Sequence, residues 1–189
     1  MPDDAERFHA ESAREWDDWL ARHHGRSAGV WLVTWKASTG RPRPDYDEVV
    51  SEALRFGWVD SKVRRLDDER TMLWVSPRRP GSGWSRSNKE RVDRLEAAGR
   101  MAPAGARVVA QARASGAWNR LDEVEALVVP DDLATAFDRL PGARTHWDAF
   151  PRSTRRATLE WITQAKRADT RRRRVTETAE RAARGERPR

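Results

Sequence analysis

Ten tryptophans stand in a chain of 189 residues whose charged share is 35%. Each indole can bury roughly 200 Å², and a chain kept unfolded by its charges would not carry them. The tryptophans therefore demand a compact core, cornered by indoles and covered by charge, although an apolar share of 38% is low for a globular protein. The length suits one large domain, or one domain with a smaller appendage.

The rest of the chain divides by texture. Phe8, Ser12, Trp16, Trp19, Leu20 and His23 recur at helical spacing and predict an amphipathic helix from about residue 5 to residue 24, ended by Gly25. "GVWLVTWK", Gly29 to Lys36, reads as a buried strand. Asp45 and Glu48 have capping-box spacing at the start of a short helix, with Tyr46, Val49, Val50, Ala53 and Leu54 on its inner face and Gly57 as its stop. "WVDSKVRRLD" and "RTMLWVSPR" read as two strands joined at Asp67-Asp68-Glu69, with Met72 and Trp74 on one face. Ser87 and Glu90 suggest a second capping box, for a helix closed by Gly99. Pro103 and Gly116 bracket another helix, with Trp118 packed after it.

Beyond the acidic connector "LDEVEALVVPDD" every segment reads as helix. Leu133, Phe137 and Leu140 stripe one helix and Trp147 and Phe150 sit on the next. Ser153 can cap a helix carrying Leu159, Trp161 and Ile162, and a last helix runs from near Asp169 to about Gly185. The expected class is α+β: a small β-sheet with packed helices over residues 1–120, then an all-helical portion over residues 121–189 with a frayed tail.

Absent residues narrow the chemistry. The chain has no cysteine, which excludes disulfides, a thiol nucleophile and thiolate metal sites and suits a reducing compartment. The opening segment is acidic and polar, unlike a secretory signal, and no apolar run approaches the roughly 20 residues of a membrane helix. A soluble, cytoplasmic protein is expected. His23 and His24 are neighbours on a helix and point about 100° apart, so they do not face one ion, and His9 and His146 lack partners at ligand spacing. No metal, cofactor or catalytic residue is expected: no nucleophile elbow, phosphate loop or dinucleotide fingerprint stands in the sequence.

Net charge is +7, and four of the 37 basic residues are lysine (Lys36, Lys62, Lys89, Lys166), the rest arginine. Coding bias in a GC-rich genome accounts for much of this, so arginine number alone is weak ground for nucleic-acid binding. Two segments are more pointed. Lys62 to Arg113 carries 13 basic against six acidic residues, and Phe150 to Arg174 carries nine against two. Arginine beside exposed tryptophan is the footprint of single-strand nucleic-acid binding. Buried tryptophan with solvated arginine is the plainer reading, and Asp60 reads as a partner for a strand arginine such as Arg64.

The segments "EALRFGWVDSKVRRLDDER", "VSPRRPGSGWSRSNKERVDRLEAAGRMAPAG" and "WITQAKRADTRRRRVTETAERAARG" resemble the YdeI/OmpD-associated, or bacteriocin-protection, family over nearly the whole chain. Residues 129–185 resemble its helical OmdA domain, with Trp161-Ile162, Ala165-Lys166, Thr170-Arg171 and Arg173-Arg174 carrying the motif. The resemblance implies a role in protection against bacteriocins, or association with an outer-membrane porin, and brings no catalytic residue. Val59 replaces a common isoleucine and Arg55 a frequent cysteine of the family pattern, so neither position looks chemically essential.

The leading expectation is a non-enzymatic binding or stress-protection protein whose partner is an anionic small molecule or a protein. Trp58, Asp60, Arg64, Arg78, Trp84, Ser85, Asn88 and Lys89 would line one side of its binding surface, and Lys166, Thr170 and Arg171 the other. Three further readings stay open: a nucleic-acid-binding module, which is not favoured; an enzyme on a small anionic metabolite; and a purely structural use of the same residues.

Overall fold

The computed structural model describes residues 5–188 and falls into two compact units, Met1–Asn119 and Arg120–Arg189. The first unit holds a small mixed sheet with helices and the second is helical, which is the α+β class expected from the sequence. No helix among the described residues is long and apolar enough to cross a membrane.

The first unit begins with a strand where the spacing from Phe8 to His23 predicts helix. β1 (Arg7–His9) runs parallel to β2 (Val30–Trp35), with Phe8 opposite Leu32. Helix α1 (Ala13–His23) starts only after Ser12, whose hydroxyl accepts the Glu15 amide from an extended backbone. Phe8 still shares the apolar face of that helix, its ring 6.3 Å from Trp16 and 5.7 Å from Trp19. Contact across the strand-to-helix break therefore imitates a continuous helical stripe.

Helix α2 (Tyr46–Arg55) has the expected capping box: Asp45 accepts the Glu48 amide and the Glu48 side chain accepts the Asp45 amide. It ends at Gly57, whose φ of +79° favours glycine. β3 (Trp58–Arg65) and β4 (Arg70–Pro77) form the expected hairpin, and the sheet order is β1-β2-β4-β3. Phe8, Val30, Leu32, Leu73, Val75 and Trp58 meet Trp16, Trp19 and Leu20 of α1 and Val49 and Ala53 of α2 on one sheet face. Trp31, Val33, Met72 and Trp74 cluster on the opposite face.

A β-bulge between Asp60 and Lys62 decides where the β3 side chains go. Asp60 pairs with Val75 and so lies on the helix-covered face. Past the extra residue, Lys62 pairs with Trp74 and Arg64 with Met72 on the other face. Asp60 and Arg64 thus part company, although their spacing in a regular strand would put them together. Arg64 instead stands 5.2 Å from the centroid of Trp31.

Helix α3 (Arg86–Ala97) is capped by Ser85, which accepts the Asn88 amide, two residues before the capping serine expected from the sequence. Helix α4 (Pro103–Ala114) has proline in its first turn. Val92, Leu95, Val109 and Ala112 pack on Val50 and Leu54 of α2 together with Trp84. Gly105 allows the close approach: a Cβ there would overlap the carbonyl oxygens of Leu54 and Arg55. Arg55 fixes the same junction by donating to the Arg100 carbonyl at 2.8 Å while pairing with Asp17 and Glu52.

In the second unit α5 (Asp122–Glu125) forms inside the acidic connector. α6 (Asp131–Asp138), α7 (Ala143–Ala149), α8 (Arg152–Thr163) and α9 (Ala168–Ala183) follow. Ser153 lies in the first turn of α8, and Pro151 rather than a serine holds the cap position. Leu133, Phe137, Trp147, Leu159, Ile162, Val175 and Ala179 form the core, so the stripes expected on these helices do face inward.

Candidate functional site

Arg78 follows the last residue of β4, and its amide donates to the Gly57 carbonyl at 3.0 Å, which ties the end of the hairpin to the end of α2. The side chain folds back over the turn that follows. Its guanidinium carbon stands 3.7 Å from the centroid of Trp84 and Nη2 donates to the Gly83 carbonyl. Arg78 is 9% exposed, and its Nε and Nη1 have no hydrogen-bond acceptor among the described residues. No carboxylate lies within salt-bridge distance of it in that set. Asp60 is near enough to offset part of the burial by its charge, but burial wins and pulls the guanidinium down to about 10.

This is an unusual way to hold a charge. A buried ion costs several kcal/mol unless it is paired and fully hydrogen-bonded. Stacking on an indole contributes only about 2 kcal/mol when desolvated. Several other arginines of the first unit are neutralised: Arg91 and Arg94 meet Asp47 at 2.9 and 3.0 Å, and Arg113 meets Glu96 at 2.9 Å.

Arg78 lines a cleft of about 430 Å³ between the hairpin end and α4. Phe56, Trp58, Pro77 and Val108 give it apolar walls, and Arg107, Gln111 and His24 give it a polar rim. Arg107 and Gln111 are one turn apart on α4 and share a face. Arg107 is exposed and has no ion pair among the described residues. His24 closes the C-terminus of α1 with its Nδ1 2.9 Å from the Leu20 carbonyl. A carbonyl only accepts, so Nδ1 carries the proton there and Nε2 is the free ring nitrogen. Trp58 donates its indole N–H to the His24 carbonyl at 3.2 Å, which fixes the wall. An apolar trough under two guanidinium groups suits a small organic anion.

The eleven residues expected to line a binding surface fall on both units. Trp58 and Arg78 line this cleft. Asp60 accepts the Tyr46 hydroxyl at 2.7 Å. Tyr46 was expected on the inner face of α2, yet it is 56% exposed. Trp84 is buried between Arg78 and Trp118, the latter 4.9 Å away. Ser85 caps α3, Asn88 accepts from Arg91 at 3.2 Å, and Lys89 reaches Asn119 at 3.5 Å and stands 5.5 Å over Trp118. Arg64 lies over Trp31 on the other sheet face.

In the second unit Arg171 binds Asp132 through two hydrogen bonds of 2.7 and 3.0 Å. The hydrogen bond and the charge raise the Arg171 guanidinium and lower the Asp132 carboxyl. The side chains of Lys166 and Thr170 have no hydrogen bond or ion pair among the described residues. The sequence raises His24 only as a metal ligand and does not single out Arg107 and Gln111. The signal for two of them was present: Ala104, Arg107, Val108 and Gln111 keep helical spacing on a helix it placed correctly. No group of three or more possible metal ligands occurs among the described residues.

Residues 8–108 match a family described as a domain of unknown function, DUF8412. Residues 126–185 match the OmdA family, described as bacteriocin-protection, YdeI or OmpD-associated. The OmdA match is confined to the second unit, and the first unit falls under a separate family. No curated protein and no solved structure matches the chain.

Proposed function

The chain belongs to the DUF8412 family and carries a C-terminal OmdA domain of the bacteriocin-protection, YdeI or OmpD-associated family, and we propose that it acts by binding, without catalytic chemistry. The cleft between Arg78 and Arg107 takes the charged end of a small organic anion. The single observation behind this reading is the Arg78 charge, buried with Nε and Nη1 lacking acceptors and no carboxylate within salt-bridge distance among the described residues. In a low-dielectric setting such a charge attracts an anion more strongly than a solvated arginine does. Arg107 supplies direct donors at the rim, and Phe56, Trp58 and Val108 cover an apolar body. The protection that the family description states would then be exerted through capture of a ligand rather than its conversion.

Titration calorimetry with benzoate and with inorganic phosphate tests this at low salt. Benzoate is expected to bind, and Arg107→Gln to weaken it by about tenfold, the scale of one charge-assisted hydrogen bond. Phosphate lacks the apolar body and is expected to bind less tightly. Failure of both anions to bind the wild-type chain would end the proposal, as would equal binding by wild type and Arg107→Gln.

A further inference from the structure

A different cleft opens on the helix-covered face of the sheet, past the first turn of α2. Strand pairing sets out its floor. Leu32, Leu73 and Val63 form one row across β2, β4 and β3, and Thr34 lies opposite Thr71 in the next. Side chains directly opposite on an antiparallel pair are in contact range. Helix α2 begins at Tyr46, so these rows run beyond the helix, and Tyr46 with Val49 makes the wall. The bulge at Ser61 puts Val63 on this face, where it is 66% exposed.

Three large hydrophobic residues are markedly exposed among the described residues, and two of them, Tyr46 and Val63, line this one cleft. Exposed apolar surface gathered in a concavity is a mark of a binding site. The polar groups are also suggestive. Arg43 lies at the cleft with no ion pair or hydrogen bond from its side chain among the described residues, and neither threonine hydroxyl has a partner there. Two idle hydroxyls, an unneutralised guanidinium and an aliphatic floor match an aliphatic carboxylate. The cavity is about 200 Å³. At about 30 Å³ per water-sized unit it holds roughly seven non-hydrogen atoms.

We propose that this cleft is a second ligand site, taking a short branched aliphatic carboxylate with its alkyl end on Leu73 and Val63 and its carboxylate toward Arg43. It is independent of the Arg78 cleft and uses none of its residues. Isovalerate, with seven non-hydrogen atoms, is the probe.

Amide and side-chain NMR spectra of the full chain, recorded while isovalerate is added, decide the matter. The expected shifts are saturable and centre on Thr34, Val63, Thr71 and the Tyr46 ring. Arg43→Gln is expected to weaken the affinity about tenfold. Thr71→Val, which keeps the shape and removes a hydroxyl, is expected to weaken it by less. Arg78→Met is expected to leave it within about twofold, so this site and the Arg78 cleft can fail separately. Shifts scattered over surface arginines, no saturation, or equal affinity in Arg43→Gln would overturn the proposal.

Discussion

The Arg78 guanidinium carbon stands 3.7 Å above the Trp84 ring, and the two residues close the turn between β4 and α3 as one stacked unit. They contribute differently. Trp84 is 1% exposed and packs with Val50, Leu54 and Val92. Trp84→Ala is expected to cost about 3–5 kcal/mol in urea denaturation. Arg78→Met removes a buried charge that has no salt-bridge partner among the described residues, and gives up one carbonyl contact and the stacking. Those effects oppose, and its stability is expected within about 1 kcal/mol of wild type. A loss as large as that of Trp84→Ala would make Arg78 a structural fastener.

Tyr46 is the single tyrosine of the chain, so its ionisation can be followed by phenolate absorbance alone. Burial of the hydroxyl end, then the hydrogen bond to Asp60 and its charge, push it up to about 12 from the ordinary 10. A raised folded-state value means that its stabilisation is complete below about pH 10 and is lost as pH rises through about 12. The absorbance midpoint is expected near 12, and Asp60→Asn is expected to bring it toward 10. A wild-type midpoint at the ordinary value would contradict the contact.

Asp132 and Arg171 join α6 to α9 in the second unit. The Arg171 hydrogen bond holds the Asp132 carboxyl below its usual range. Its stabilisation is therefore present above the ordinary carboxylate value and is lost as pH falls through the folded-state value. Both side chains are more than a third exposed to solvent or close to it, so screening limits the effect. Asp132→Asn is expected to cost about 0.5–1 kcal/mol at neutral pH and nothing in strong acid. Denaturation curves of the two proteins at both pH values check this.

Gly105→Ala should displace α4 from α2, because the added methyl meets the Leu54 and Arg55 carbonyl oxygens. Overpacking of this kind costs about 1–3 kcal/mol. Arg107 and Gln111 ride on the same helix, so anion binding should weaken with stability. Ala104→Ser, on the same helix beside the cleft, serves as the comparison and is expected to change stability by less than about 1 kcal/mol.

Helix α2 and the β3–β4 hairpin were legible because local chemistry sets them: the Asp45–Glu48 box, Gly57 after α2, and the Asp67–Glu69 turn all stand where the residues imply, whereas the caps of α3 and α8 fall two residues before the serines that suggest them. β1 was not, because Phe8 stacks on α1 from a neighbouring strand and mimics its period. The bulge at Ser61 left no mark in the sequence, and it alone separates Asp60 from Arg64 and sends Val63 to the α2 face. The cleft was half legible. Trp58 and Arg78 stood out as residue types, but His24, Arg107 and Gln111 reach it through the packing of α1 and α4 on the hairpin end, which no local pattern encodes.

The most direct test is the side-chain Nε–H resonance of Arg78, assigned by its disappearance in Arg78→Lys, followed while benzoate is added at low ionic strength. A saturable shift of that resonance, together with the Trp58 indole N–H, is the predicted result. An Arg78 resonance unmoved by benzoate, with shifts absent from Trp58, would contradict the anion-binding cleft.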